Sequence, residues 1–356
     1  MATPADVLDA AIVPESWRTD LNLPSWELDY SIGHFGMPSQ WKGASWCVLK
    51  AIDSNGDEWA LRIPHIRSAA SAPRLERLER LQKILDEIKP YWFPRFVVHR
   101  DAIEIKGELC PIVVMPFLKD VPLTKFIEKE INSGSGKSLA ALAEKLPDLS
   151  RRMIAEGFDH GDVSPGNLLE TKSGDLRLID PDMLLHIDCA VEESFELGHP
   201  SCTHPMRKPK DVGPGLHVFP MNLLELSLLA ISSNTDLVDE KPDPEALLFS
   251  ESDLRNHRKS KTFGKVRKSL LNGGKKLYDA IVASLDCNSL MEATKVLHPS
   301  IERVSKPRVI FSIQDINELK MPHSPIQQVP VANGKKRRRM LAPSLSEDLK
   351  RRVLGE

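Results

Sequence analysis

Between residues 160 and 180 the chain brings together His160, Asp162, Asn167 and Asp180. These types at this spacing suit phosphoryl transfer, which asks for few side chains in strict placement. A carboxylate beside an attacking hydroxyl accepts or orients its proton, a role open to Asp162. A second carboxylate and an amide oxygen hold magnesium against phosphates, roles open to Asp180 and Asn167. Hard oxygen ligands suit Mg²⁺, and phosphate oxygens complete its octahedron. Asp182 adds a candidate auxiliary metal ligand. His160 fits a pin for the loop better than a chemical base.

These groups converge only if the chain between them folds back. Leu168-Leu169, a Gly174-Asp175 turn and Leu176 to Ile179 predict a hairpin that returns Asp180 beside Asn167. Upstream, Trp46 to Ile52 and Glu58 to Ile63 are extended runs around Ser54-Asn55-Gly56-Asp57, a second hairpin with Arg62 on its return. Leu75, Leu78, Leu81, Ile84, Leu85 and Ile88 recur at helical spacing, and Pro90 closes that helix. Phe96 to Val98 and Ile112 to Phe117 read as buried strands, the first pairing with Ala102 to Ile105 or near Leu109. Helical character returns over Leu123 to Ile131 and Leu139 to Phe158, with Pro147 starting or kinking a segment. Leu223 to Ile231 reads as a buried helix.

The order is strand pair, helix, strands, then mainly helices, unlike the βαβα alternation of a doubly wound sheet. It predicts an α+β fold of two lobes, a small β-rich N-lobe and a larger helical C-lobe joined near Pro116 to Lys119. The expected divisions are a lead-in over 1–29, the N-lobe over 30–118, the C-lobe over 119–305 and a flexible basic tail over 306–356. The lead-in reads as irregular, packing on the domain through isolated aromatics.

Of the 356 residues, 41% are hydrophobic, which excludes wholesale disorder, and the formal net charge of -2 argues against coating nucleic acid or membrane. Cys47, Cys110, Cys189, Cys202 and Cys287 form no Cys-x-x-Cys pair, so neither a disulfide framework nor a zinc ribbon is indicated. No secretory signal and no run of eighteen apolar residues is visible, and a reducing cytoplasm is the simplest address.

With those residues in view, the chain resembles the protein kinase superfamily. His160-x-Asp162 and Asn167 stand at the spacing of its catalytic loop, and Asp180 follows Asn167 by thirteen residues. The second motif, usually Asp-Phe-Gly, here reads Asp180-Pro181-Asp182. Ser164 stands where a phosphate-facing lysine is common. Trp59-Ala60-Leu61-Arg62 looks like the strand that presents the nucleotide-binding cation, with Arg62 for lysine and Glu76, ahead of Glu79, as its ion-pair partner. The phosphate-covering loop falls over 41–48, where Gly43 remains of three glycines and Trp46 is bulky; Gly43 and Val48 are its nucleotide-binding candidates. The resemblance implies an adenine pocket bordered by Met115, Phe117, Leu118 and Leu169, with ATP and Mg²⁺ as cofactors.

A narrower resemblance, over roughly residues 30–275, is to the bacterial kinase-like family of YegI-type proteins and kinases encoded beside phosphatase and von Willebrand-type partners. Tyr91 to Phe96, Gly107 to Pro116, Ile179 to Met183, Gly198-His199-Pro200 and Thr203 to Arg207 carry it. An arginine at Arg62 is familiar there. The helix anchoring the large lobe commonly begins with Asp, and His217 is the match here. The resemblance implies ATP-dependent phosphorylation of Ser/Thr hydroxyls on unidentified protein substrates in bacterial signalling, with a phosphatase or von Willebrand-type partner. The alternatives are a pseudokinase serving as a nucleotide-binding or scaffolding module, and a small-molecule phosphotransferase suggested by His160-Gly161-Asp162.

Three other features read as structural. Asn132 to Ser138 imitates a nucleotide loop but reads as a linker between helices. His186, Cys189, His199, Cys202 and His204 are too irregularly spaced for zinc. Arg255 to Lys276 carries nine Lys/Arg and no acidic residue. It reads as the solvated face of a helix pair anchored by Phe263, Leu270 and Leu271, with weak nucleic-acid contact as the alternative, there and at Lys335 to Arg339.

Overall fold

The computed structural model describes residues 2–18, 26–33, 36–43, 45–66, 68–133, 136–189, 193–194, 196–238 and 246–301, which belong to one compact unit. The expected tail over 306–356, with Lys335 to Arg339, lies outside the described residues.

Helix α1 (Pro4–Ala11) begins on a capping box in which Thr3 and Asp6 exchange hydrogen bonds, with Pro4 in the first turn where its missing N–H leaves no bond unmade. The first 29 residues are therefore not wholly irregular. Val7, Leu8 and Ala11 of this helix are buried.

A six-stranded antiparallel sheet follows, built from β1 (Trp26–Leu28), β2 (Gln40–Lys42), β3 (Trp46–Asp53), β4 (Glu58–Pro64), β5 (Val97–Ile105) and β6 (Glu108–Pro116). The order is β1-β3-β4-β6-β5, with β2 also paired to β3. The β3–β4 hairpin turns on Gly56 at φ 83°, a left-handed conformation that glycine adopts without strain. Residues 96–105 do not split into two paired pieces. Val97–Ile105 is one strand with an irregularity between His99 and Ile103, and it pairs with β6 across Lys106-Gly107.

Alternation along the strands divides the sheet into two faces. Cys47, Leu49, Ala51, Leu61, Ile63, Ile112 and Val114 share one apolar cluster with Val7 and Leu8 of α1. Trp46, Ala60, Val113 and Met115 belong to the larger cluster on the opposite face, with Leu78, Leu81 and Leu85 of α2 (Ala72–Ile88). Arg62, between Leu61 and Ile63, shares the face of Ala60.

The rest of the chain is helix-rich, giving the mixed α+β division expected. It runs β7 (Val121–Pro122), α3 (Leu123–Asn132), α4 (Lys137–Ala143), α5 (Lys145–Ala155), β8 (Phe158–His160), β9 (Leu168–Glu170), β10 (Leu176–Leu178), β11 (Leu184–His186) and α6 (Val218–Ser233). It ends with α7 (Glu251–Arg255), α8 (Lys261–Ser269), α9 (Asn272–Leu285) and α10 (Leu290–Leu297). Pro147 sits in the first turn of α5, so the stretch expected to be helical over 139–158 is two helices that end at Ala155, and Phe158 begins β8. Residues 133–136 connect α3 to α4, two helices and no strand, as a linker requires; Gly134 and Ser135 lie outside the described residues. Phe263 and Leu270 are buried, but Leu271 is 77% exposed and anchors nothing. Among the described residues no helix is long and apolar enough to cross a membrane, and no group of three or more His, Cys, Asp or Glu is placed to hold a metal ion.

Candidate active site

The site grows from two short antiparallel pairs. Strand β9 meets β10 in the register Leu168↔Leu178, and the pairing extends one step as the Ile179 N–H donates to the Asn167 carbonyl at 3.0 Å. Asp180 therefore leaves the hairpin next to Asn167. Strand β8 meets β11 with Leu184↔His160, which brings the residues after the 180–183 turn back against the start of the 160–167 loop.

His160 is fully buried and joins these pieces. Its Nδ1 accepts the Asp162 N–H at 3.2 Å, so Nε2 carries the proton and donates toward the Ile179 and Asp180 carbonyls at 3.1 and 3.0 Å. Burial lowers its pKa, keeping the ring neutral. That geometry makes it a pin.

Asp162, Asn167 and Asp180 are half-buried, while His160, Val163, Leu168 and Asp182 around them are buried. The Asn167 amide donates to the Asp162 carbonyl at 2.9 Å and to its Oδ2 at 3.0 Å, and the His199 N–H donates to Oδ1 at 2.9 Å. Each Asp162 oxygen retains a lone pair. With its Nδ2 committed, Asn167 has Oδ1 available as a neutral oxygen ligand. Gly198 makes the His199 contact possible: it sits at φ 74°, and a Cβ there would lie 2.7 Å from the Gly161 carbonyl and 2.9 Å from Asp162 Oδ1. Gly161 is constrained too, because a Cβ would meet the Arg207 guanidinium at 2.7 Å. Arg207 donates to the Gly161 and Leu197 carbonyls and so braces the loop.

Asp180 has φ 78° and ψ 90°, an unusual backbone for a residue with a side chain, and accepts the Asp182 N–H at 3.1 Å. Pro181 starts the single turn that follows and directs Asp182 inward. Arg62 Nη2 lies 2.7 Å from Asp180 Oδ1 and 2.7 Å from Asp182 Oδ2. Burial raises the Asp180 carboxyl, but the charge and hydrogen bond of Arg62 together with the other neighbouring groups, the Asp182 N–H among them, outweigh it and the net shift is downward. Burial raises Asp182, with Asp180 adding to it and Arg62 and Arg74 opposing.

Glu76 does not meet Arg62. It is half-buried on α2, and Glu79 instead holds Arg100 at 2.6 and 2.7 Å. The helix turns arginines toward the turn: Arg74 Nε donates to Asp182 Oδ1 at 3.2 Å, and Arg77 donates to the Asp182 and Leu184 carbonyls. Helical spacing places Arg74 and Arg77 one turn apart beside Leu75, Leu78 and Leu81, a signal in the sequence that the leucine stripe alone does not use. Asp182 is buried with a guanidinium on each oxygen, so it has little to offer a metal. Asn167 and Asp180 have the oxygen chemistry and exposure that Mg²⁺ requires.

The residues that the resemblance assigns to the nucleotide lie along β2 to β4, β6, β9 and the connection after β6. Strands β2 and β3 pair Lys42↔Cys47, making a short turn with Gly43 at its start; Ala44 lies outside the described residues. Ser45 Oγ donates to Glu196 Oε1 at 2.8 Å, the same oxygen that Arg74 Nη2 reaches at 3.2 Å. Trp46 is 3% exposed, and the Arg62 guanidinium lies 5.6 Å from its ring. Val48, Ala60 and Met115 meet in the larger cluster, Leu169 is buried on β9, and Phe117 stacks on Trp41 at 5.4 Å. Phe117 and Leu118 are half-buried on the connection between the halves.

His217 does not leave the 160–167 loop without support, because the carboxylate comes from the opposite side. Asp159 accepts from the N–H groups of His160, Gly215, Leu216 and His217 and from His217 Nδ1 at 2.6 Å. It thus ties β8 to the start of α6.

A scan against known protein families finds no match to this chain, and a search of curated proteins finds none either.

Proposed function

We propose that the chain is a protein-kinase-like phosphotransferase that uses ATP with Mg²⁺ to phosphorylate Ser or Thr hydroxyls of protein substrates. The observation that carries this reading is the cluster of Asp162, Asn167 and Asp180. These three polar groups are half-exposed beside the buried His160, Val163, Leu168 and Asp182, with Arg62 on Asp180. In this reading the inner face of the sheet, with Val48, Ala60 and Met115, receives the base, and Arg62 grips phosphate. Asn167 and Asp180 hold Mg²⁺, which when bound neutralises charge on the phosphates. The acceptor hydroxyl oxygen bonds to the γ-phosphorus as the bond from phosphorus to the β,γ-bridging oxygen breaks, and the hydroxyl proton passes to Asp162.

Transfer from radiolabelled ATP with Mg²⁺ to casein, and to the chain itself, tests this. Asp162→Asn and Asp180→Asn are expected to lose about a hundred-fold or more in rate. Equal background from wild type and both variants removes the enzyme. Label on small hydroxyl compounds alone makes the acceptor class a small molecule.

A second reading has its own support. Trp46, buried against Arg62, narrows the approach to that cation, which favours a pseudokinase that binds nucleotide without transferring phosphate. A thermal shift with ATP but no label transfer is its signature.

A further inference from the structure

We infer that Asp182 is the positioning residue for Arg62. The carboxylate that orients the phosphate-facing cation has moved from the helix beside the sheet to the turn after Asp180, and the helix answers with Arg74. What Arg62 faces rests on the phosphotransfer reading above; the pairing rests on geometry alone.

Asp182 is 4% exposed and divides its two oxygens between two elements: Oδ2 takes Arg62 of β4, and Oδ1 takes Arg74 of α2. Arg77 holds the Asp182 carbonyl from the next turn of the same helix. Arg62 spends only Nη2 on the two aspartates, and its buried Nε has no hydrogen-bond partner among the described residues. A planar guanidinium clamped at one nitrogen is held in orientation while its remaining donors stay free for an oxyanion. Arg62 and Arg74 are both buried and share Asp182, so losing this carboxylate takes a partner from each and leaves Asp180 on Arg62 and Glu196 on Arg74. Glu76 stands on another face of α2 and cannot supply it. Asp182 therefore positions the cation and α2, and coordinates no metal.

The test uses the full chain as wild type, Asp182→Asn, Asp180→Asn and Glu76→Gln. ATP affinity is measured across a Mg²⁺ titration, and amide hydrogen exchange over residues 72–88 is measured without nucleotide. Asp182→Asn is expected to weaken ATP binding about ten-fold or more, to leave the Mg²⁺ midpoint at the wild-type value, and to speed exchange over 72–88. Glu76→Gln is expected to match wild type in both measurements, and Asp180→Asn to move the Mg²⁺ midpoint. The inference is overturned if Asp182→Asn behaves as wild type, or if it moves the Mg²⁺ midpoint as Asp180→Asn does. If wild type binds no ATP, the phosphotransfer reading falls by itself. The exchange arm then decides the pairing: faster exchange in Asp182→Asn alone sustains it, and equal exchange in all four chains overturns it.

Discussion

Asp159 concentrates more hydrogen-bond donors than any residue proposed for chemistry, and its work is mechanical. Burial raises its carboxyl, but His217 and the surrounding N–H groups outweigh that and hold it below the ordinary aspartate range. The sign of the linkage follows. With a folded pKa below the unfolded one, the stabilisation is complete above the ordinary aspartate pKa and is lost as pH falls through the lowered value. Asp159→Ala leaves His217 and the N–H groups at the start of α6 buried without an acceptor, and is expected to cost about 3–5 kcal/mol. Urea unfolding at pH 7 and pH 3 measures both effects, and the loss should be larger at pH 7, because the linkage acts only below the ordinary aspartate pKa. Asp-His is an ordinary dipeptide in the sequence; the two elements that Asp159 joins lie more than fifty residues apart.

Helix α6 packs on nearly every side, with Phe219, Leu223, Leu226 and Ile231 all buried, so a charge on it is costly. Glu225 lies half-buried on this helix with no hydrogen-bond or ion-pair partner among the described residues, beside Asn222, His298 and Ser300. Burial pushes its pKa from 4.5 up to about 7. The folded chain therefore binds the proton more tightly than the unfolded one, and stability falls as pH rises between those values. Glu225→Gln removes the charge and keeps the shape. It is expected to stabilise by about 1–3 kcal/mol at pH 8 and by little at pH 5, read from thermal melts at the two values. The apolar run Leu223 to Ile231 was enough to mark this helix as buried. The α2 helix was equally plain from its leucines, but its buried arginines were not, because periodicity reports which positions face inward and says nothing of what awaits a charge there.

At the scale of the molecule, the sheet is closed on both faces. Strands β3, β4 and β6 turn one set of side chains to α1 and the other to α2 and the helical half, so the face that carries Arg62 is held from behind by α1. Leu8 is 4% exposed in that outer cluster. Leu8→Ala is expected to cost about 2–5 kcal/mol in denaturant unfolding. Because the same strands carry Arg62, the loosening should extend to residues 58–64, visible as faster amide exchange there. A cost confined to residues 2–11 would mean that α1 is only an appendage.

What the sequence determined alone is local. Hairpin turns, the α2 stripe of leucines, the buried α6 run and the joint spacing of Asp162, Asn167 and Asp180 each follow from neighbours within about twenty residues. Backbone turn chemistry and side-chain period act at that range. The tertiary structure alone decided how the charges pair. Arg62 meets Asp180 and Asp182 across about 120 residues, Arg74 replaces Glu76 at the turn, and Asp159 supplies the carboxylate that His217 lacks. Buried charges must be matched wherever the fold gathers them, and an ion pair is indifferent to which strand or helix contributes each sign. Residue types at expected positions therefore reveal that a charge is present, and only the packed chain reveals its partner.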